Sequence, residues 1–187
     1  RFKLKNKRLS LTDNVAVGYL AMNATTTGIR NAAVGSGALM TNTWGGGNAA
    51  FGYSALGSNS SGGENVAVGS YAMTSNSTGY QNVALGSSAM EFTTTGTDNI
   101  AIGWRALRAN TGGSTNIAIG SFSLLAATTA TGNTAVGYNA LTATTTGTSN
   151  TVLGYGAGDA VTTGSYNVAV GLDALGAATT SSGQVAI

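Results

Sequence analysis

The sequence predicts an all-β protein: a parallel β-solenoid, or β-roll, of ten coils with 17 residues each. Three observations predict this fold class. The chain of 187 residues repeats one unit every 17 residues, without an insertion or a deletion. The units hold a short segment, such as Val15-Ala16-Val17, with the alternation and β-branched content of a strand. Glycine and clusters of Thr and Ser interrupt each unit, and they would destabilise a helix.

An asparagine opens each unit, and a glycine such as Gly18 or Gly103 follows it four residues later. The strict spacing indicates that every coil bonds in register to its neighbours, because a slip of one residue would reverse each strand side chain. We expect the asparagines to stack as a structural ladder in which amides bond from coil to coil. The glycine is expected at a corner with positive φ or close backbone contact. The ladder residues are Asn14, Asn31, Asn48, Asn65, Asn82, Asn99, Asn116, Asn133, Asn150 and Asn167, and Gln184 takes the next position.

The strand segments read apolar or Thr, then Ala, then apolar, and this pattern leads to a prediction about assembly. We expect two short strands and two turns in each coil, with Val or Ile pointing inward toward a Leu or Met. The alanine would then point outward. A nearly constant small residue there indicates a second surface at close range, and the core of one coil is thin. We therefore expect a homotrimer with cyclic symmetry whose interface contains Ala16, Ala33, Ala50, Ala67, Ala84, Ala101, Ala118, Ala135 and Ala169.

Two regions are predicted. Residues 1–13 form a basic arm or cap, and residues 14–187 form the solenoid, whose eleventh unit is truncated. Five of the eight Lys and Arg residues stand in the first eight positions. The rest of the chain contains the other three together with all six Asp and Glu residues, so its net charge is −3. A solvated cap, or a junction with a preceding domain, explains the arm better than an acidic partner does, since one short run of charge is weak evidence.

The composition argues against an enzyme. The chain contains no His and no Cys, so the common catalytic triads, zinc sites and thiol chemistry are excluded. The six acidic residues are scattered, and no pair suits glycoside hydrolysis. Nucleotide-binding motifs do not occur either. We expect no catalytic residue, no metal and no cofactor, and neither nucleic-acid binding nor membrane insertion.

Two surface features suggest binding functions. Trp104, Tyr138 and Tyr155 each follow a repeat glycine directly, and exposed aromatic rings in one column are candidate glycan contacts. The favoured alternative is that these rings cover the glycine corner or lie at a seam between chains. Runs of threonine such as 144–146 would suit an ice-binding solenoid, although a solvated turn explains them better.

The units resemble known repeats. The segment 133–141, Asn-Thr-Ala-Val-Gly-Tyr-Asn-Ala-Leu, leads to a Thr-Thr-Thr-Gly ending at residue 147. Such units resemble repeats in phage tail-fibre proteins, and they are similar to the Asn-Ser-Val-Ala-Ile-Gly repeats in head domains of trimeric autotransporter adhesins. The resemblance covers roughly residues 11–187. The adhesin resemblance implies a left-handed parallel β-roll that assembles as a homotrimer, although the unit here is longer than in those heads.

The resemblance also implies a function. We expect a structural and adhesive segment of a trimeric phage tail fibre, located in the virion and involved in host attachment. Its partners would be two further copies of the chain and a glycan or protein of the host surface. The head of a bacterial surface adhesin is the first alternative, and an ice-binding solenoid is the second.

Overall fold

The computed structural model of the chain describes residues 13–187, so almost all of the predicted basic arm lies outside the described residues. The described part contains eleven short strands in a single parallel sheet and no helix. This confirms the all-β parallel solenoid of about ten coils. The strands are β1 Val15–Val17, β2 Ala32–Val34, β3 Ala49–Phe51, β4 Val66–Val68, β5 Val83–Leu85, β6 Ile100–Ile102, β7 Ile117–Ile119, β8 Thr134–Val136, β9 Thr151–Leu153, β10 Val168–Val170 and β11 Val185–Ala186.

The sheet runs along the whole stack of coils. Its strands follow one another in chain order from β1 to β11, and each residue pairs with its equivalent in the next unit, as Ala84 does with Ala101. Neighbouring strands in a sheet are about 4.8 Å apart, so the ten steps from β1 to β11 extend roughly 48 Å.

Each described coil contains one strand, so the prediction of two strands per coil is wrong. The remaining wall is a stack of turns, since residues such as Tyr71 and Met73 have φ values of 59° and 51°, which do not continue a strand. Backbone bonds between coils persist through these turns. Leu39 N donates to Ala55 O at 3.0 Å, and Thr43 N donates to Ser60 O at 3.0 Å.

The strand side chains point the opposite way from the prediction. The alanines at the centre of the strands face the interior of their own coil, and from Ala33 to Ala169 the eight predicted interface alanines of the described core have an exposed fraction of 0%. Ala16, in the first coil, is partly buried against the same core. These residues therefore cannot form the surface between chains.

The width of the coil explains the reversal. The opposite wall supplies a second alanine and a Leu or Met from most units, for example Ala106 and Leu107 opposite Ala101, and all three are fully buried. Ser123 and Gly158 are the exceptions. A coil of 17 residues has little room, so two large side chains cannot meet across it at van der Waals distance. The strand position is almost always alanine because the interior of the coil is narrow, and not because a neighbouring chain lies against it.

The third residue of each strand consequently faces outward and forms an apolar row, which we call the outer stripe. Val17, Phe51 and Leu153 expose 54%, 41% and 51% of their surface. The stripe runs along the sheet from β1 to β10. Its members are Val17, Val34, Phe51, Val68, Leu85, Ile102, Ile119, Val136, Leu153 and Val170.

Candidate functional site

The asparagines form a continuous ladder inside the stack. Asn99 Nδ2 donates to Asn82 Oδ1 at 3.0 Å and to Gly113 O at 2.9 Å, while Asn99 N also donates to Asn82 Oδ1 at 3.0 Å. The same pattern runs from Asn14 upward, and Gln184 N closes it with a bond of 2.9 Å to Asn167 Oδ1. Because these amides bond to one another and to the backbone, they stabilise the fold and are not free for a ligand.

A second buried column was missed by the sequence analysis. Asn42, Asn59, Asn76 and Asn110 lie at equivalent positions on the turn side of four coils, and their exposed fractions are 0%. Asn59 Nδ2 donates to Asn42 Oδ1 at 2.8 Å, and Asn76 Nδ2 donates to Asn59 Oδ1 at 2.8 Å. The sequence pattern that indicates this column is an Asn 11 residues after a ladder asparagine. The pattern is incomplete, because threonine, alanine or valine occupies the same position in the other coils.

The Thr and Ser residues that follow this column form a third set of bonds between coils. Thr94 Oγ1 donates to Thr111 O at 2.9 Å, and Ser60 Oγ donates to Ser77 O at 2.9 Å. Each hydroxyl reaches the carbonyl of the equivalent residue one coil further along. This explains why all ten units hold Thr or Ser at that position. The segment is therefore more than a solvated turn.

We expect Thr93→Asn to raise the free energy of unfolding by about 1–2 kcal/mol, because it would complete the second asparagine column. Asn76 Oδ1 and Thr93 Oγ1 are buried atoms without a hydrogen-bond partner among the described residues. An amide at 93 can donate to Asn76 Oδ1 and accept from Asn110. Urea unfolding of the variant and of Thr93→Val measures the gain. Equal stability of the two variants would contradict the interpretation.

The three candidate glycan residues belong to a longer aromatic row. Trp104, Tyr138 and Tyr155 are exposed by 46%, 42% and 57%. Phe122, one position further along its unit, joins them with ring centroids 4.7 Å from Trp104 and 5.7 Å from Tyr138. Tyr138 and Tyr155 stack at 5.2 Å with an angle of 16° between their planes. Four rings on four successive coils therefore form one partly exposed surface, although each ring also packs against its neighbour.

An arginine and a second pair of aromatic rings lie at the same repeat positions as the aromatic row or next to them. Arg105 Cζ lies 4.7 Å from the centre of the Trp104 ring, a cation–π geometry. Tyr53 and Tyr71 make an edge contact at 5.2 Å. The ionised form of Tyr53 would repel that of Tyr71, and together with desolvation this raises the pKa of Tyr71 above 10.0.

The described part of the chain was also searched for a metal site and for a membrane-spanning helix. Residues 13–187 contain no group of three or more His, Cys, Asp and Glu residues placed to hold a metal ion. No helix within this range has the length and apolar character needed to cross a bilayer. Comparisons with protein-family models, with curated proteins and with solved structures found no match.

Proposed function

We propose that this chain is a rigid structural and adhesive segment of a homotrimeric fibre, and that the fibre is a phage tail fibre that takes part in host attachment. The stack supplies length and rigidity, because backbone hydrogen bonds, the asparagine ladder and the Thr/Ser hydroxyls link successive coils along the described chain. In a solenoid each coil contacts mainly its neighbours, so the stack can extend repeat by repeat into an elongated segment. The observation that carries the trimer is the outer stripe.

The outer stripe provides an extended apolar surface for other copies of the chain. It runs from β1 to β10, which is roughly 43 Å for nine strand spacings of about 4.8 Å, and it contains no charged residue. Surfaces in water rarely keep a contiguous apolar row of this length unless another surface covers it. A partner row of the same kind would remove apolar area from water at about 25 cal/mol per Å². The interface of the proposed trimer therefore moves from the alanines to Val, Ile, Phe and Leu.

The adhesive part of the proposal rests on the aromatic row. Aromatic rings exposed on one side offer flat apolar faces to sugar rings, which carry C–H groups on one face and hydroxyls at the edge. Trp104, Tyr138 and Tyr155 remain partly exposed on this side of the solenoid. Tyr138 and Tyr155 cover one face of each other by stacking, so a sugar would contact the parts of the rings that stay open to solvent. An extended host glycan that lies along the fibre axis fits this row, because its repeating residues can contact successive rings.

We expect Ile102→Glu to prevent assembly, because it places a charge in a desolvated contact. Thr95→Glu, on an exposed turn of the preceding coil, is the matched control and should assemble as the unsubstituted chain does. Multi-angle light scattering measures the molar mass of each. Ala101→Glu has a different expected outcome, since the buried alanine supports the coil itself: this variant should fail to fold. A stable monomer of the unsubstituted chain at micromolar concentration would refute the trimer.

A further inference from the structure

The repeat departs from its own pattern on one face of the first four coils. Two outward positions in the turn after the Thr/Ser hydroxyl column hold only Thr, Ser or Gly in the six units that begin at Asn82. In the four earlier units the first position keeps Thr or Ser except at Trp44, and the second position holds, in order, Ile29, Gly46, Gly63 and Tyr80. The stacking of the coils does not require two aromatic residues and two glycines to lie together at these positions.

These departures form a hollow of about 300 Å³, which we call the glycine hollow. Its floor consists of Gly46, Gly47 and Gly63. The walls are Trp44, Tyr80, Ile29, Arg30, Glu64 and Ser61. The hollow arises because successive coils lack side chains there, while the coils on either side keep theirs.

Tyr80 is held in place over the floor. Its hydroxyl donates to Ser61 O at 2.9 Å, so the ring lies back across the preceding coil. A methyl group at Gly63 would come within 3.0 Å of the Tyr80 ring, which shows that the ring rests directly on the glycine backbone. One ring face is covered in this way, and the residue still exposes 46% of its surface. A preorganised aromatic face of this kind loses little conformational entropy when a ligand binds.

Trp44 and the two charged residues complete the site. The Trp44 side chain exposes 71% of its surface beside the hollow. Arg30 and Glu64 occupy equivalent positions two coils apart, roughly 10 Å at the usual strand spacing. They do not form an ion pair with each other within the described chain. Glu64 Oε2 accepts a bond of 3.1 Å from Gln81 Nε2, which orients the carboxylate.

This combination selects a chemical class of ligand. Glu64 would repel a phosphate or a carboxylate, and Arg30 would repel a cation. A neutral ligand that both accepts from a guanidinium and donates to a carboxylate satisfies both residues. Trp44 and Tyr80 additionally require a flat apolar face. A pyranose sugar meets all these conditions, since its hydroxyls both donate and accept and its ring carries a C–H face.

We propose that the glycine hollow binds a neutral pyranose residue, with Trp44 and Tyr80 against the ring and Arg30 and Glu64 on its hydroxyls. This inference deepens the adhesive function proposed above and rests on it for its biological role. The site is separate from the aromatic row, because the hollow belongs to the first four coils and the row begins at Trp104. A single sugar in a shallow site should bind weakly, with a Kd on the order of 1 mM.

Tryptophan fluorescence provides the test. The chain has two tryptophans, so Trp104→Phe leaves Trp44 as the only reporter. In this background we expect methyl glucoside, methyl galactoside or N-acetylglucosamine to produce a saturable change in emission. Adding Gly46→Thr should weaken binding at least tenfold, because threonine occupies the equivalent position in later coils and would fill the hollow. Gly112→Thr, at an open outward position of a distant coil, is the matched control and should leave binding unchanged.

The outcomes distinguish this inference from the proposed function. Thermal melts establish that both threonine variants fold, and light scattering on the same samples reports assembly independently. A trimer whose Trp44 emission does not respond saturably to any of the three sugars would overturn the sugar site alone. Saturation by adenosine and by none of the sugars would overturn it in favour of an aromatic base. A monomer that binds sugar would instead refute only the trimer.

Discussion

Gly103→Ala is expected to lower the free energy of unfolding by more than about 3 kcal/mol, because two costs add at this corner. Gly103 has a φ of 131°, a conformation that is nearly restricted to glycine. A methyl group on it would also lie 2.6 Å from the carbonyl carbon of Gly120 in the next coil. The backbone of that coil is held by bonds on both sides and cannot move away.

Two further variants separate these costs. Gly171→Ala shares the positive φ of 124°, but in the 187-residue chain its methyl group would meet no atom closer than 4.0 Å. It should lose only the strain, about 1–3 kcal/mol. Gly112→Ala would meet only Thr95 Oγ1, at 3.5 Å, and should change stability by less than about 0.5 kcal/mol. Urea unfolding monitored by circular dichroism measures all three. Equal losses for Gly103→Ala and Gly171→Ala would show that crowding between coils is not what requires glycine.

Asn99→Leu should lower the free energy of unfolding by about 4 kcal/mol, since it removes four hydrogen bonds at about 1 kcal/mol each. The Asn99 amide donates to Asn82 Oδ1 and Gly113 O, and its oxygen accepts from Asn116 N and Asn116 Nδ2 at 3.0 and 3.1 Å. The Asn116 backbone N–H would be left buried without an acceptor. In a trimer the same defect would occur three times in one layer.

Asn14→Leu is the positional control for this variant. Asn14 is only partly buried, and its side chain bonds to Gly28 O and to Asn31. The first coil can fray without breaking the stack, so we expect a loss of about 1 kcal/mol. Thermal and chemical melts of the two variants provide the comparison. An equal loss, or a larger one at Asn14, would show that the ladder is not a continuous internal element.

Much of the fold could be predicted from local spacing. A unit of 17 residues without insertions requires in-register coils, because every coil presents its backbone groups to the next one. The recurrence of Asn at one position was enough to expect amides that bond along the axis, and the structure places Asn82, Asn99 and Asn116 in that arrangement. These features depend only on the period, and the period is written directly in the chain.

The direction of the strand side chains depended on the tertiary structure. Alternation along three residues permits either Ala101 or its neighbours Ile100 and Ile102 to face inward, and the pattern alone does not choose. The opposite wall decides it, because Leu107 and Ala101 are both fully buried in the same core, and close packing in a narrow coil pairs a large side chain on one wall with a small one on the other. That choice places Ile102 on the surface and so determines which face is free for another chain.

The candidate binding surfaces likewise exist only in the folded stack. Trp44 and Tyr80 are 36 positions apart in the chain, yet the coils bring both to the wall of one hollow. Phe122 joins the aromatic row from a different position of its unit, which a search by column alone does not find. The sequence by itself determined the repeat, the parallel stack and its internal bonds. The tertiary structure decided what faces the solvent, because only the width of the coil and the stacking of turns bring residues from different coils together.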